Sequence, residues 1–200
     1  ENKKHVFVEK PLCLDFHEAV EIRRLLNENP GICLSSNLNL RTCPMFTYLK
    51  DIIQSGYLGE IFYLEGDYLW GRINKLTGGW RKDMPFYSIV YGAAVHMIDL
   101  LMWITQMNPV EVKGYGNRIA TDNTDFKFDD FSAILMTFEN GMIAKISANS
   151  ACVHPHFHKI SVYGTLKSFF HDIMGGRIVK SRESVKNITN VKKQYPAVRE

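Results

Sequence analysis

The sequence predicts an α/β segment followed by a larger α+β segment, and three patterns point to this fold class. Near the start, a helical stripe of apolar residues separates two short apolar runs, which is typical of a βαβ unit with parallel strands. After residue 110 the chain alternates apolar and polar residues in several short runs, as antiparallel strands do. Asn140-Gly141 lies between two such runs and favours a hairpin turn. We therefore expect a βαβ piece followed by a large, mainly antiparallel sheet with helices on one face.

Composition and charge exclude several classes of protein. Of the 200 residues, 46% are hydrophobic and 22% are charged, which is typical of a globular chain and not of a disordered or fibrous one. The formal net charge of +3 is too small to indicate a nucleic-acid partner. The most apolar stretch, residues 89–104, is interrupted by His96 and Asp99 and is too short to span a bilayer, so we expect no membrane partner.

The cysteines indicate a reducing compartment. The chain has 4 cysteines, which lie far apart and form no C-x-x-C pair. Because a disulfide framework would place cysteines more densely, we expect free thiols in a cytoplasmic protein. Residues 1–5 also lack the apolar core of a signal peptide, which agrees with this localisation.

The first segment has the pattern strand, helix, strand. Residues 6–8 form a short apolar run that predicts a buried strand, and Pro11 ends it. Asp15, with Glu18 three positions later, forms a capping-box pattern that begins a helix. Residues 32–36 predict the second strand, parallel to the first.

A change of pattern at residues 37–42 predicts two domains, 1–38 and 39–200. Two strands do not form a stable sheet alone. We therefore expect either that the chain is a fragment or that these two strands join the later sheet.

The second segment begins with helices and then becomes a sheet. Residues 44–54 have a helical pattern that ends at Gly56, and residues 61–70 alternate as a strand. Residues 71–88 have no period and predict a long loop, followed by a helix over 90–104. Further strands, predicted as a meander in which Gly175-Gly176 joins the last two, cover 110–119, 131–138, 142–150, 160–163, 168–173 and 177–180.

Lys10 is the first candidate for chemistry. It lies between Glu9 and Pro11 at the carboxyl end of a predicted strand, the edge where open α/β sheets bind ligands. A lysine held there by a stiff proline is suited to stabilising an oxyanion or holding a hydroxyl group. A solvated Glu-Lys turn is the alternative, and the residues alone leave both interpretations open.

His96 and Asp99 are the second candidate, because their i, i+3 spacing places them on one helix face. Their neighbours are apolar, so both side chains should be at least half buried. A buried histidine near a carboxylate can exchange a proton near neutral pH. The alternative is a core histidine with a structural hydrogen bond.

His154, His156 and His158 alternate, so on a strand they would share one face and could ligate zinc. Pro155 interrupts the strand pattern and no fourth ligand is evident, so we expect no metal and a pocket or sheet-edge role instead.

Other polar and aromatic residues are candidates for substrate contact. Arg41 and Trp80, with Arg81 beside it, could grip a hydroxylated or anionic ligand, or could simply pack along apolar surface. The full set of candidate substrate-binding residues is Arg41, Trp80, Tyr91, Asp99 and His156.

Five motifs, taken in order, resemble the glucose–fructose oxidoreductase / inositol dehydrogenase (Gfo/Idh/MocA) family. Each motif alone is weak, but the order and spacing agree from residue 4 to about residue 170. They are the Glu9-Lys10-Pro11 strand at 4–12, the helix-to-strand corner at 56–61, the helix at 95–101, the hairpin at 130–141 and the corner Tyr163-Gly164-Thr165.

The resemblance implies a two-domain, nicotinamide-dependent oxidoreductase acting on sugars, nucleotide sugars or cyclitols. Residues 1–38 would then be the last strand–helix–strand of a Rossmann-like dinucleotide domain, whose glycine-rich part would precede this chain and bind most of the NAD or NADP. The chain alone would be inactive. The resemblance implies that Glu9, Lys10 and Pro11 contact the cofactor, that Lys10 also contacts substrate, and that His96 is the acid/base.

The chain departs from the family pattern at Gly92. Many members of the family it resembles carry an aspartate at this place, one helical turn before the histidine, whereas here Gly92 follows Tyr91. The alternative function is a non-catalytic module that uses its sheet as a dimerisation or ligand-binding surface. In either case we expect a homo-oligomer formed through the sheet.

Overall fold

The computed structural model of the protein describes residues 3–196, in which the chain forms one unit up to Asn39 and a second from Leu40 onward. In the first unit, strand β1 (Val6–Val8) is followed by helix α1 (Phe16–Glu28) and strand β2 (Leu34–Ser36). The two strands pair in parallel, with Val6 opposite Leu34, so the predicted βαβ unit is confirmed. They form a sheet of their own and do not join the larger one.

The helix of the first unit begins where the capping pattern predicts. The Asp15 carboxylate accepts a hydrogen bond of 2.9 Å from the Glu18 amide, which satisfies one donor of the first turn. The Glu18 carboxylate accepts in return from the amide of Leu14, at 2.7 Å, and not from that of Asp15. The predicted helix start is confirmed, with the return bond displaced by one residue.

The prediction that residues 6–8 are buried is wrong. Val6 is 45% exposed and Phe7 is 68% exposed, and helix α1 has no buried residue. The apolar run specifies a strand, but two strands and one helix provide too little structure to cover it.

The second unit contains three helices and eight strands within the described residues. The helices are α2 (Pro44–Gln54), α3 (Asn74–Thr77) and α4 (Val95–Thr105). The strands are β3 (Ile61–Leu69), β4 (Glu111–Asn117), β5 (Phe131–Thr137), β6 (Ile143–Asn149), β7 (Phe157–Gly164), β8 (Ser168–Asp172), β9 (Gly175–Val179) and β10 (Ile188–Val191).

The eight strands form one sheet in the order β10-β9-β8-β7-β3-β6-β5-β4. Every neighbouring pair is antiparallel except β3 and β6, so the mainly antiparallel sheet is confirmed. The predicted continuous meander is wrong, because β3 lies between β6 and β7. Alternation along a strand specifies its two faces and does not specify its neighbours.

One predicted turn is confirmed and another is wrong. Gly141 has a φ of +84°, and the Phe138 amide donates to the Met142 carbonyl at 3.1 Å across the hairpin. Gly175 and Gly176 lie inside β9, and Ile173 and Met174 make the turn before it. Gly176 packs closely against its neighbours instead, because a Cβ there would lie 2.9 Å from the sulfur of Met45 and 3.1 Å from the Cβ of Val191.

The connection between β3 and α4 is more ordered than a loop. It contains the short helix α3 and a 3₁₀ turn, Trp80–Asp83. One π-helical turn, Val90–Ala94, precedes α4, so the helix predicted over 90–104 is present but changes its pitch. Within residues 3–196, no helix is long and apolar enough to cross a membrane.

The helices cover one face of the sheet, as predicted. A Cβ at Gly66 of β3 would lie 3.0 Å from the Met97 side chain of α4, so this glycine lets the helix approach the strand closely. The next residue, Asp67, faces the other side, where Lys145 donates to it at 2.6 Å. Tyr68 turns back toward α4. Strand β3 therefore brings Tyr68 to the buried face of the helix that carries His96.

Candidate active site

His96 lies buried on α4, beside Tyr68 of β3. The side chain of His96 is 7% exposed and that of Tyr68 is 6% exposed. Their rings are parallel within 9°, with centroids 5.7 Å apart. The prediction that His96 is at least half buried is confirmed.

Two further histidines surround the same tyrosine. The Tyr68 ring centroid lies 5.0 Å from that of His156 and 4.8 Å from that of His158. His158 is also 4.9 Å from His156 and 6.2 Å from His96. We refer to Tyr68, His96, His156 and His158 as the histidine cluster.

The surroundings of His158 favour its neutral form. Burial lowers the pKa of His158 well below 6.5, and the charges of His156, His96 and His171 lower it further. The His158 Nδ1 lies 2.6 Å from the Tyr195 hydroxyl, which also accepts the His158 amide at 3.1 Å. A neutral Nδ1 can accept a hydrogen bond from the tyrosine hydroxyl, which agrees with an uncharged His158.

His154 does not belong to the cluster. Strand β7 begins at Phe157, and the His154 Nδ1 lies 2.7 Å from the Pro155 carbonyl oxygen. His156 and His158 therefore lie on one side, where both contact Tyr68, as expected. The expectation is wrong for His154. Among residues 3–196 no group of three His, Cys, Asp or Glu side chains is placed to hold a metal ion.

Two predicted substrate residues contact each other. The Arg41 Nε donates to Asp99 Oδ2 at 2.9 Å, and Arg41 Nη2 donates to Asp99 Oδ1. The Asp99 side chain is 12% exposed, so its predicted burial is confirmed. The hydrogen bond to Asp99 raises the pKa of Arg41. Asp99 thus forms an ion pair with Arg41 one helical turn after His96.

Trp80 lies on the connection between β3 and α4, and Tyr91 lies in the π-helical turn at the end of that connection. Trp80 is 61% exposed, and the Arg81 guanidinium lies over its ring at 4.4 Å. Tyr91 is 36% exposed and meets Phe86 edge to face at 6.2 Å. The described ring contacts of Trp80 and Tyr91 do not include a member of the histidine cluster.

Lys10 follows β1 in the first unit, where its peptide bond to Pro11 is cis. The Glu9 carboxylate accepts a hydrogen bond of 2.8 Å from the amide of Asn37, which follows β2. Lys10, Glu9 and Asn37 therefore lie at the carboxyl edge of the two parallel strands. This set of an ammonium, a carboxylate and an amide fits the hydroxyl groups of a ribose.

The sequence did not single out Tyr68 or Tyr195. The burial of Tyr68 could have been predicted, because alternation along β3 places it on the same face as Gly66 and Leu64. Tyr195 follows the last strand in a polar stretch, and no local pattern predicts that its hydroxyl would reach His158. Only the folded chain brings these residues together.

Comparison with known proteins identifies the family. The family model described as the GFO/IDH/MocA C-terminal domain matches residues 46–170. The uncharacterized oxidoreductase YrbE of Bacillus subtilis is 27% identical over 176 residues, covering 82% of this chain and 47% of that protein. A myo-inositol 2-dehydrogenase of Thermotoga maritima is 24% identical, covering 85% of this chain and 50% of that protein.

Solved structures share the fold. The crystal structure of a myo-inositol 2-dehydrogenase from Lactobacillus plantarum superimposes with a TM-score of 0.75 at 23% identity, over 88% of this chain and 56% of that one. A scyllo-inositol dehydrogenase from Lactobacillus casei, with bound NAD(H) and scyllo-inositol, gives 0.73 at 18% identity, over 88% and 55%. The chain spans about half the length of the curated relatives it matches. Because the family model covers more than half of it, this chain belongs to the GFO/IDH/MocA family of oxidoreductases.

Proposed function

We propose that the protein is a nicotinamide-dependent oxidoreductase that transfers hydride between NAD or NADP and a hydroxyl-bearing carbon of a sugar, nucleotide sugar or cyclitol. The observation that carries this proposal is the buried His96 of the GFO/IDH/MocA domain, stacked on Tyr68 among further histidines. The names of relatives support the substrate class, since they include dehydrogenases of myo-inositol, scyllo-inositol and UDP-N-acetylglucosamine.

His96 is the proposed acid/base. A neutral imidazole can take the proton of a substrate hydroxyl while the carbon is oxidised, and return it in the reverse direction. The parallel Tyr68 ring fixes the plane of the imidazole. His158, which its burial keeps neutral, adds no positive charge that would oppose protonation of His96.

Glu9, Lys10 and Pro11 are the proposed cofactor contacts. NAD or NADP, when bound, would supply the hydride acceptor or donor. Lys10 has three N–H donors, which suit the ribose hydroxyls and a substrate hydroxyl. The hydrogen bond between Glu9 and Asn37 holds the segment that carries Lys10.

The remaining candidates are proposed to position the substrate. The Asp99 carboxylate is bound by Arg41, and its remaining lone pairs can accept a hydrogen bond from a sugar hydroxyl. Trp80 and Tyr91 expose aromatic surface, on which the C–H face of a sugar ring can pack. His156 borders the site through Tyr68.

The sheet is proposed to mediate a homo-oligomer, and one observation favours this role. Edge strand β4 and its neighbour β5 expose large apolar side chains, with Val112 at 56%, Tyr115 at 82% and Leu135 at 51%. Sedimentation of the complete protein as a monomer at micromolar concentration would contradict it.

The function is tested by assaying the complete gene product with NAD or NADP against inositols, hexoses and UDP-sugars, following the absorbance of the reduced nicotinamide. We expect turnover with at least one class. Lys10→Ala and His96→Ala should each lower it by orders of magnitude, whereas His154→Ala, outside the cluster, should not. Wild-type turnover in both variants would refute the assigned roles, and a non-catalytic module would show no turnover with any compound.

A further inference from the structure

Arg81 is held between aromatic rings in an orientation suited to binding an anion. Its guanidinium carbon lies 4.4 Å from the Trp80 ring, 5.2 Å from the Trp70 ring and 6.0 Å from the Tyr87 ring. Cation–π contact holds the guanidinium against the rings, and the N–H groups that do not bond to Tyr87 can donate at its edge. The Arg81 Nε is buried and has no hydrogen-bond partner among the described residues.

Arg72 lies two residues after Trp70, at the start of the same connection. Neither Arg72 nor Arg81 forms a salt bridge within the part of the chain that the structure describes. This sets them apart from the arginines that do pair with a carboxylate, which are Arg24, Arg41, Arg118 and Arg177. The positive charges of Arg72 and Arg81 are therefore not neutralised by a described carboxylate.

Arg81 lies close to the end of β3, because its guanidinium is over the ring of Trp70, which follows Tyr68 by two residues. Burial raises the pKa of Tyr68 to about 12, while the charges of Arg72 and Arg81 lower it. Burial also raises the pKa of Tyr87, which a hydrogen bond from Arg81 lowers. The lowering of the Tyr68 pKa by both charges agrees with this position next to the tyrosine whose ring stacks on His96.

We infer that Arg72 and Arg81 form an anion subsite next to the histidine cluster, which binds an oxyanion carried by the substrate. Two donors of Arg81 can bind two oxygens of one carboxylate or phosphate, and Arg72 adds a second charge. Arg72 and Arg81 are both partly buried, which strengthens the attraction relative to a fully exposed pair.

This inference rests on the proposed function and narrows its substrate to an anionic sugar. The shared chemistry is a carboxylate or phosphate oxyanion, which has two sources. One is a carboxylate on the sugar itself, as in a hexuronate. The other is a phosphate attached to it, as in a sugar phosphate or a nucleotide sugar.

The test measures binding, so it does not depend on turnover. The complete protein is titrated with glucuronate, glucose 1-phosphate and glucose, and binding is followed by calorimetry and by tryptophan fluorescence, since Trp70 and Trp80 flank the subsite. We expect one anionic sugar to bind at least about tenfold more tightly than glucose, and added salt to weaken it. The tighter of the two anions identifies the source.

The variants separate the subsite from the rest of the protein. Arg72→Gln and Arg81→Gln should each weaken binding of the anionic sugar by about tenfold or more and leave the affinity for glucose unchanged. Arg118→Gln, whose arginine pairs with Asp122, is the matched control. Arg81→Lys keeps the charge and loses the two-donor fork, so it should weaken binding less than Arg81→Gln. If Arg81→Gln fails to fold, anion binding by Arg72→Gln and Arg81→Lys still tests the subsite.

The outcomes distinguish the two proposals. Equal affinity for glucose and both anionic sugars, or unchanged anion binding in Arg72→Gln and Arg81→Lys, would overturn the subsite even if the protein oxidises neutral sugars. Tight anion binding that the arginine variants lose would support the subsite, even if no substrate were turned over and the proposed function failed.

Discussion

The Tyr68 ring lies parallel to the His96 imidazole, within 9° and with 5.7 Å between centroids. This relationship joins a strand to a helix. Gly66, two residues before Tyr68 on the same face of β3, lets α4 approach the sheet. His96 is therefore oriented by the core of the domain and not by a loop.

Tyr68→Ala should lower the free energy of unfolding by about 3–5 kcal/mol, because it removes a buried ring that contacts three histidines. Tyr68→Phe keeps the ring and should cost much less. Tyr115→Ala, at an 82% exposed position, should change stability by about 0.5 kcal/mol or less. Urea unfolding measures all three, and equal stability of Tyr68→Ala and the wild type would contradict the packing described.

His171 should make the protein less stable as the pH falls. Burial lowers the pKa of His171 from 6.5 to about 4 in the folded state. The unfolded chain therefore binds more protons below pH 6.5, and stability is lost between about pH 6.5 and about pH 4. The loss from this residue is at most about 3 kcal/mol, and the buried His158 acts in the same direction.

Unfolding measured across that pH range in His171→Gln tests this origin. Removal of the imidazole should reduce the slope of stability against pH, whatever the variant's overall stability. His17→Gln, which changes an exposed residue of α1, serves as the control and should keep the wild-type slope. The same slope in His171→Gln and the wild type would show that another group is responsible.

Gly92→Ala should destabilise the protein by about 1–3 kcal/mol, because a Cβ at this position would lie 2.4 Å from the Tyr87 hydroxyl and 3.0 Å from its Cζ. Tyr87→Phe in the same protein should recover part of the loss. Gly31→Ala, where nothing lies within 4 Å of the added Cβ, should be tolerated. Thermal unfolding decides, and a Gly92→Ala variant as stable as Gly31→Ala would disprove the clash.

The same contact leaves little room at Gly92 for the aspartate that the family resemblance leads us to expect there. A longer side chain at this place would compete with the ring of Tyr87 for one volume. From the sequence alone, Gly92 indicated a missing carboxylate, because a sequence does not show that the Tyr87 ring fills the space beside it.

Much of the fold could be predicted from local patterns, because caps, turns and periodicity are encoded by neighbouring residues. The Asp15 cap and the Asn140-Gly141 turn are examples. The insertion of β3 between β6 and β7 could not be predicted, since strand order depends on contacts between distant segments. The Gly175-Gly176 turn was wrong because both glycines lie inside β9, where Gly176 packs closely against Met45.

The site was predicted only in part for the same reason. The spacing of His96 and Asp99 correctly indicated a buried helix face. It could not show that Arg41, far away in the sequence, binds Asp99, or that Tyr195 binds His158. The residues made Lys10 and His96 candidates for chemistry, the family resemblance gave them specific roles, and those roles stay proposals.

Chemical rescue of His96→Ala tests whether the His96 imidazole moves the substrate proton. Measured in the complete protein with saturating nicotinamide cofactor and substrate, turnover should fall by about 10²–10⁴-fold and recover as imidazole is added. Imidazole should not accelerate the wild type or His154→Ala. Wild-type turnover in His96→Ala, or a loss that imidazole does not reverse in a folded variant, would contradict the account.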